Sequence, residues 1–106
     1  MKREEILDTA KKTIMGPRAT DYGPANENFK RIAVGWNVIV DCALKRNGEL
    51  TEQHVALMMD WLKTCRLVNN PLSEDGWVDK CGYSAIGGEL TSIERFKNNI
   101  RLQNES

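Results

Sequence analysis

Between Val55 and Val68 apolar side chains take up most of a helix's circumference. Val55, Leu57, Met58, Met59, Trp61, Leu62, Cys65, Leu67 and Val68 leave a narrow polar arc of Gln53, Asp60, Lys63 and Thr64, with Arg66 at its edge. A helix that is apolar almost all round needs cover on more than one side. It must sit in the middle of a bundle or in the middle of an oligomer. The remaining segments have to supply that cover.

Those segments also read as helices. Residues 2–15 put Ile6, Ala10, Thr13 and Ile14 on one face, with Glu4 and Glu5 suiting the helix dipole and Gly16-Pro17 as the stop. From about Asn26 to Arg46, Phe29, Ile32, Ala33, Trp36, Ile39, Val40 and Ala43 form an inward stripe. Val34, Val38 and Cys42 fall outside it and imply a second covered face, and Asn47-Gly48 is a left-handed cap. Thr51 caps the helix over 52–69, with Leu50 and Val55 as a hydrophobic staple. Ser73 caps a fourth helix over 74–102, with Leu72 and Trp77 as its staple and Glu74 and Asp75 in the first turn.

Gly82, Gly87 and Gly88 each cost a helix roughly 1 kcal/mol against Ala. They therefore imply a close helix crossing, a kink, or a break near 87–88. Arg101–Ser106 reads as a frayed tail. No stretch alternates as a strand would. The expectation is an all-α fold: one domain over 1–106, a compact helical bundle of about four main helices, and a homo-oligomer. A chain of 106 residues has little interior in which to hide so many apolar faces.

Charge excludes several roles. Lys+Arg and Asp+Glu are both 15, so no net field draws in nucleic acid or an anionic membrane, and nothing repels a second copy. No apolar run approaches the ~18 residues of a membrane span. The opening MKREEILDTAKK has acids and no apolar signal core, which points to the cytoplasm. Cys42, Cys65 and Cys81 are odd in number, form no CxxC pair, and read as reduced core thiols. With His54 as the only histidine, a zinc site is disfavoured.

The candidate site lies at the turn between the third and fourth helices. Lys63 and Arg66 end one helix, and Asp75 and Asp79, at i and i+4, begin the next, with Tyr83 a turn further on. Arg presents a fork that suits phosphate or carboxylate. Against this stands a plainer reading: a solvated basic helix end, with Asp79 as a salt-bridge partner of Lys63 or Arg66. Arg18 and Tyr22, on the irregular PRATDYGPANEN segment, are placed to close over the same turn, with Tyr22 free to stack on a flat ring. Asp75 and Asp79, with Glu27, are the hard-oxygen ligands available if Mg²⁺ is used, although two carboxylates alone do not specify a metal. No cofactor is required by these residues. No nucleophile–base set and no phosphate loop is present.

The order of these residues resembles a family of short phage and prophage proteins of unknown function. The shared pattern is Arg18-x-x-x-Tyr22-Gly23, Glu27-Asn28-Phe29-x-x-Ile32-Ala33-x-x-Trp36 and Val55-Ala56-Leu57-Met58-Met59. It continues as Lys63-x-x-Arg66-Leu67, Asn70-Pro71 and Trp77-Val78-Asp79-x-x-Gly82-Tyr83, spanning about residues 15–90. A fainter likeness is to the all-α, MazG-like nucleoside triphosphate pyrophosphohydrolases, which hold Mg²⁺ with ExxE and ExxD pairs. Here Glu27 lacks a Glu at i+3, and Asp75 and Asp79 are four apart. The resemblance implies a phage-encoded accessory protein in the cytoplasm of an infected or lysogenic bacterium. Its expected ligand is a nucleotide or another phosphate-bearing small molecule, including a host-defence signalling nucleotide that it would sequester. Two alternatives stay open: Mg²⁺-dependent hydrolysis of a nucleoside triphosphate, and binding to a host or phage protein as inhibitor or assembly factor.

Overall fold

The computed structural model describes residues 1–16 and 24–105. The described residues are all-α and form four helices: α1 Arg3–Met15, α2 Ala25–Asn47, α3 Glu52–Asn69 and α4 Glu74–Glu105. Their ends follow local chemistry. Gly48, at φ 78°, takes the left-handed conformation that closes α2 and donates its N–H to the Leu44 carbonyl. Thr51 caps α3 by accepting the His54 N–H at 3.4 Å, while its own N–H donates to His54 Nδ1 at 2.9 Å. This reciprocal pair satisfies two backbone donors that the helix leaves open. Ser73 caps α4 by accepting the Gly76 N–H at 3.3 Å.

α3 is the middle element, as its apolar circumference requires, with α2 packed on one side and α4 on the other. Three glycines set the spacing. A Cβ on Gly35 would collide with the Trp61 indole, so Trp61 lies directly on the α2 backbone and donates its Nε1–H to the Arg31 carbonyl at 3.1 Å. Trp36 answers by donating to the Met58 carbonyl at 2.7 Å. A Cβ on Gly87 would stand 3.1 Å from the Ala56 Cβ, and one on Gly76 would stand 2.6 Å from Leu67 Cδ2. The close crossing is therefore the correct reading of Gly87, and α4 passes through 87–88 unbroken. It also stays helical through Arg101–Glu105, the stretch that sequence alone assigns to a frayed tail.

Ile32, Ala43, Cys65 and Leu67 are the buried apolar residues among those described. Several inward assignments fail. Phe29 is 67% exposed and Ala33 is exposed, because α2 packs chiefly against one neighbour and both residues lie off that line. Cys42 and Cys81 are free and exposed rather than core thiols, and Cys65 alone is buried. The Leu72–Trp77 staple is also absent: Leu72 is 89% exposed, and Trp77 donates instead to the Pro71 carbonyl at 2.9 Å. Val34 and Val38 are each 61% exposed, so the second face of α2 is not covered by the described residues.

The bundle is long in one direction, 61 × 33 × 26 Å, with a radius of gyration of 18.4 Å. A globule of this length would be near ~13 Å. Helix length explains much of the difference, since the 32 residues of α4 rise about 48 Å. No helix among the described residues is long and apolar enough to cross a membrane.

Candidate functional site

The C-terminal half of α3 is flanked by the first turns of α2 on one side and of α4 on the other. On the α4 side, opposite charges meet in two pairs. Lys63 Nζ lies 2.8 Å from Asp79 Oδ2, and Lys80 Nζ lies 2.7 Å from Asp60 Oδ1 and 2.8 Å from Thr64 Oγ1. The antiparallel run of the two helices produces this ladder, because each turn of α3 meets one turn of α4 going the other way. Asp79 is thus the partner of Lys63. Lys63 is the more enclosed of the two, at 15% side-chain exposure against 46% for Asp79.

The other expected residues fall around this pair. Arg66 is half-buried one turn beyond Lys63, Tyr83 is half-buried one turn beyond Asp79, and Asp75 is exposed in the first turn of α4. Arg18 and Tyr22 lie outside the described residues. Glu27 is exposed in the first turn of α2. Among the described residues, no three His, Cys, Asp or Glu side chains gather where they could hold a metal ion, so Glu27, Asp75 and Asp79 do not form one set.

The α2 side holds two groups that sequence reasoning passed over. Asn28 is only 5% exposed, and its Oδ1 is buried with no hydrogen-bond partner. Three residues on, Arg31 buries its Nη1, also without a hydrogen-bond partner. The Arg31 charge is felt at Cys65: burial pushes that thiol's pKa up, and the guanidinium pulls against the rise. A buried guanidinium nitrogen without an acceptor is costly, because most buried polar atoms find partners. The signal was present in the sequence. Asn28, Arg31 and Gly35 recur at i, i+3 and i+7, which places an Arg along the line that faces α3.

Arg31 stands on the α2 side of α3 and Lys63, paired with Asp79, on the α4 side, with Arg66 one turn beyond Lys63 on α3 itself. Asn28 Oδ1 is an acceptor and Arg31 Nη1 a donor, and neither has a hydrogen-bond partner.

The family model described as a domain of unknown function, DUF6378, matches residues 5–91. The chain belongs to the DUF6378 family. Two DUF6378-like relatives are phage proteins. One is the Gene 55 protein of Mycobacterium phage L5, 44% identical over 98 residues that make up 91% of this chain. The other is the Gene 55 protein of Mycobacterium phage D29, 31% identical over 81 residues, or 76% of this chain. The aligned parts are 60% and 50% of those two proteins, so the chain spans little more than half of their length. No solved structure matches. The DUF6378 match covers the motif order Arg18 to Tyr83, so the phage kinship implied by that order stands.

Proposed function

We propose that this DUF6378 protein binds a phosphate-bearing small molecule, with a nucleotide as the leading class, at the C-terminal half of α3. One observation carries the reading: Arg31 Nη1 and Asn28 Oδ1 are both buried and both lack a hydrogen-bond partner, one turn apart on α2. A donor that needs an anion stands beside an acceptor that needs an N–H or O–H. A nucleotide offers both, phosphate oxygens to the guanidinium and base or ribose hydrogens to the amide. Arg66 and Lys63 add positive charge from α3, and Arg18 and Tyr22 are the sequence candidates for closing over the ligand.

Binding is favoured over Mg²⁺-dependent hydrolysis by the state of the acids. Asp79 and Asp60 are each engaged by a lysine, and Asp75 stands apart in solvent. A phage protein that binds such a ligand without turnover would act by sequestration, and a signalling nucleotide of the host is a target of the right chemistry.

A thermal-shift panel of nucleoside triphosphates, monophosphates and cyclic dinucleotides, with and without Mg²⁺, tests this directly. A ligand at 100 times its Kd should add about 2.7 kcal/mol of stability, and Arg31→Met should cut that shift by about half or more. Release of pyrophosphate and a nucleoside monophosphate from a triphosphate would select the MazG-like hydrolase instead. A panel that leaves the melting temperature unchanged throughout would overturn the proposal.

A further inference from the structure

We infer that the C-terminal half of α4 is an interface covered by a second copy of this chain. Ile86, Ile93 and Ile100 recur every seven residues and are 54%, 44% and 42% exposed, with Phe96 beside them at 65%. A seven-residue apolar repeat keeps one face toward a partner helix over several turns. The described residues supply no such partner along its C-terminal part. α3 begins at Glu52, and the Gln53–Glu94 hydrogen bond at 2.7 Å marks its far end against α4. From Arg95 to Glu105 the helix runs on beyond α3, exposed at every residue.

The exposed area matches a second protomer. The chain exposes 8571 Å², where a folded monomer of 12.0 kDa would expose about 6,000 Å². The excess, about 2,600 Å², is shared with α1, none of whose residues is buried, and leaves room for the ~1,000–2,500 Å² per partner of an obligate homodimer. Equal numbers of acids and bases remove the net repulsion that would oppose self-association.

Shape points the same way. A shallow, open groove of about 610 Å³ lies where α4 passes the start of α3, with Leu50, Leu90 and Ile93 in its lining beside Glu49, Glu52 and Glu94. Phe96 projects one turn from that groove on the same helix. A two-fold interface uses one patch on both subunits, so a patch that carries both an exposed ring and a recess with Leu50, Leu90 and Ile93 in its lining can complement itself.

Light scattering across micromolar concentrations should give the wild-type chain twice its 12.0 kDa mass. Phe96→Glu with Ile100→Glu should raise the dimer dissociation constant by about 30-fold or more, the loss expected at an interface hot spot. Neither side chain packs in the interior, so helical circular dichroism should persist. Should the variant fail to fold, amide exchange on the wild-type protein decides. Residues 95–105 should be protected, and the protection should fade on dilution, whereas a lone helix end exchanges at once. A wild-type monomer at every concentration, or a dimer with residues 95–105 unprotected, would overturn the inference. So would protection of that segment that appears only with a host protein present.

Discussion

Trp61 donates its indole N–H to the carbonyl of Arg31, across a contact that exists only because residue 35 has no side chain. The same contact ties the packing of α2 on α3 to the residue that presents its guanidinium at the candidate site.

Replacing Gly35 by Ala should therefore be destructive. A Cβ there meets the Trp61 indole and cannot be relieved without shifting a helix, so the cost should reach the upper part of the ~1–3 kcal/mol typical of overpacking. Gly88→Ala is the control. Nothing stands within 4 Å of a Cβ at Gly88, and the change should stabilise by up to about 1 kcal/mol. Urea unfolding of the two variants reads both signs.

Arg31→Met should separate binding from stability. It removes a buried donor that has no acceptor and keeps most of the volume, so the unliganded protein should melt no lower than wild type. Its affinity for the ligand found in the panel should fall by about 1.5–3 kcal/mol, as for a hydrogen bond to a charged group. A variant that melts far lower and binds normally would show Arg31 to be a packing residue only.

The Lys63–Asp79 pair should contribute little to stability. Asp79 keeps 46% of its side chain in water, which screens the attraction, so a double-mutant cycle should give a coupling within ~1 kcal/mol. Lys80 reaches both Asp60 and Thr64, and Asp60 is more enclosed than Asp79, at 29% side-chain exposure against 46%, so Lys80→Met should cost more than Lys63→Met.

The three cysteines should differ in reactivity. Cys42 and Cys81 are exposed and should modify quickly with a thiol reagent at neutral pH, and Cys65 only when the protein opens. Burial raises the Cys65 pKa above its ordinary 9.0, so the folded state holds the neutral thiol. Its contribution to stability is full below the unfolded-state pKa and is lost as the pH climbs from there through the raised folded value. Melting temperatures of wild type and Cys65→Ala should converge over that alkaline range.

Helix ends were legible in the sequence because their chemistry is local. Thr51, Ser73 and Gly48 act on backbone groups within four residues of themselves. Burial was less legible. Periodicity shows which residues share a face but not whether a neighbour is there, so Phe29 and Cys42 read as interior while standing in solvent. The glycines show the same limit: Gly87 and Gly88 look alike in sequence, yet only the first meets a facing helix. At the site, Lys63 and Asp79 could be brought together on paper because a short turn joins their helices. Asn28 and Arg31 share a line with Gly35 in the sequence, but spacing alone does not show that α3 is laid over that line.

The two close helix contacts, α2 with α3 and α3 with α4, both join elements adjacent in the chain. Such wiring makes assembly quick. No distant segments have to find one another before native contacts begin to reward the loss of freedom, and helical proteins of this kind fold in roughly microseconds to milliseconds. Trp36 and Trp61 each lose a solvent-facing indole when α2 docks, so their fluorescence reports that fast event. Any slower phase that quickens with protein concentration belongs to the meeting of two chains.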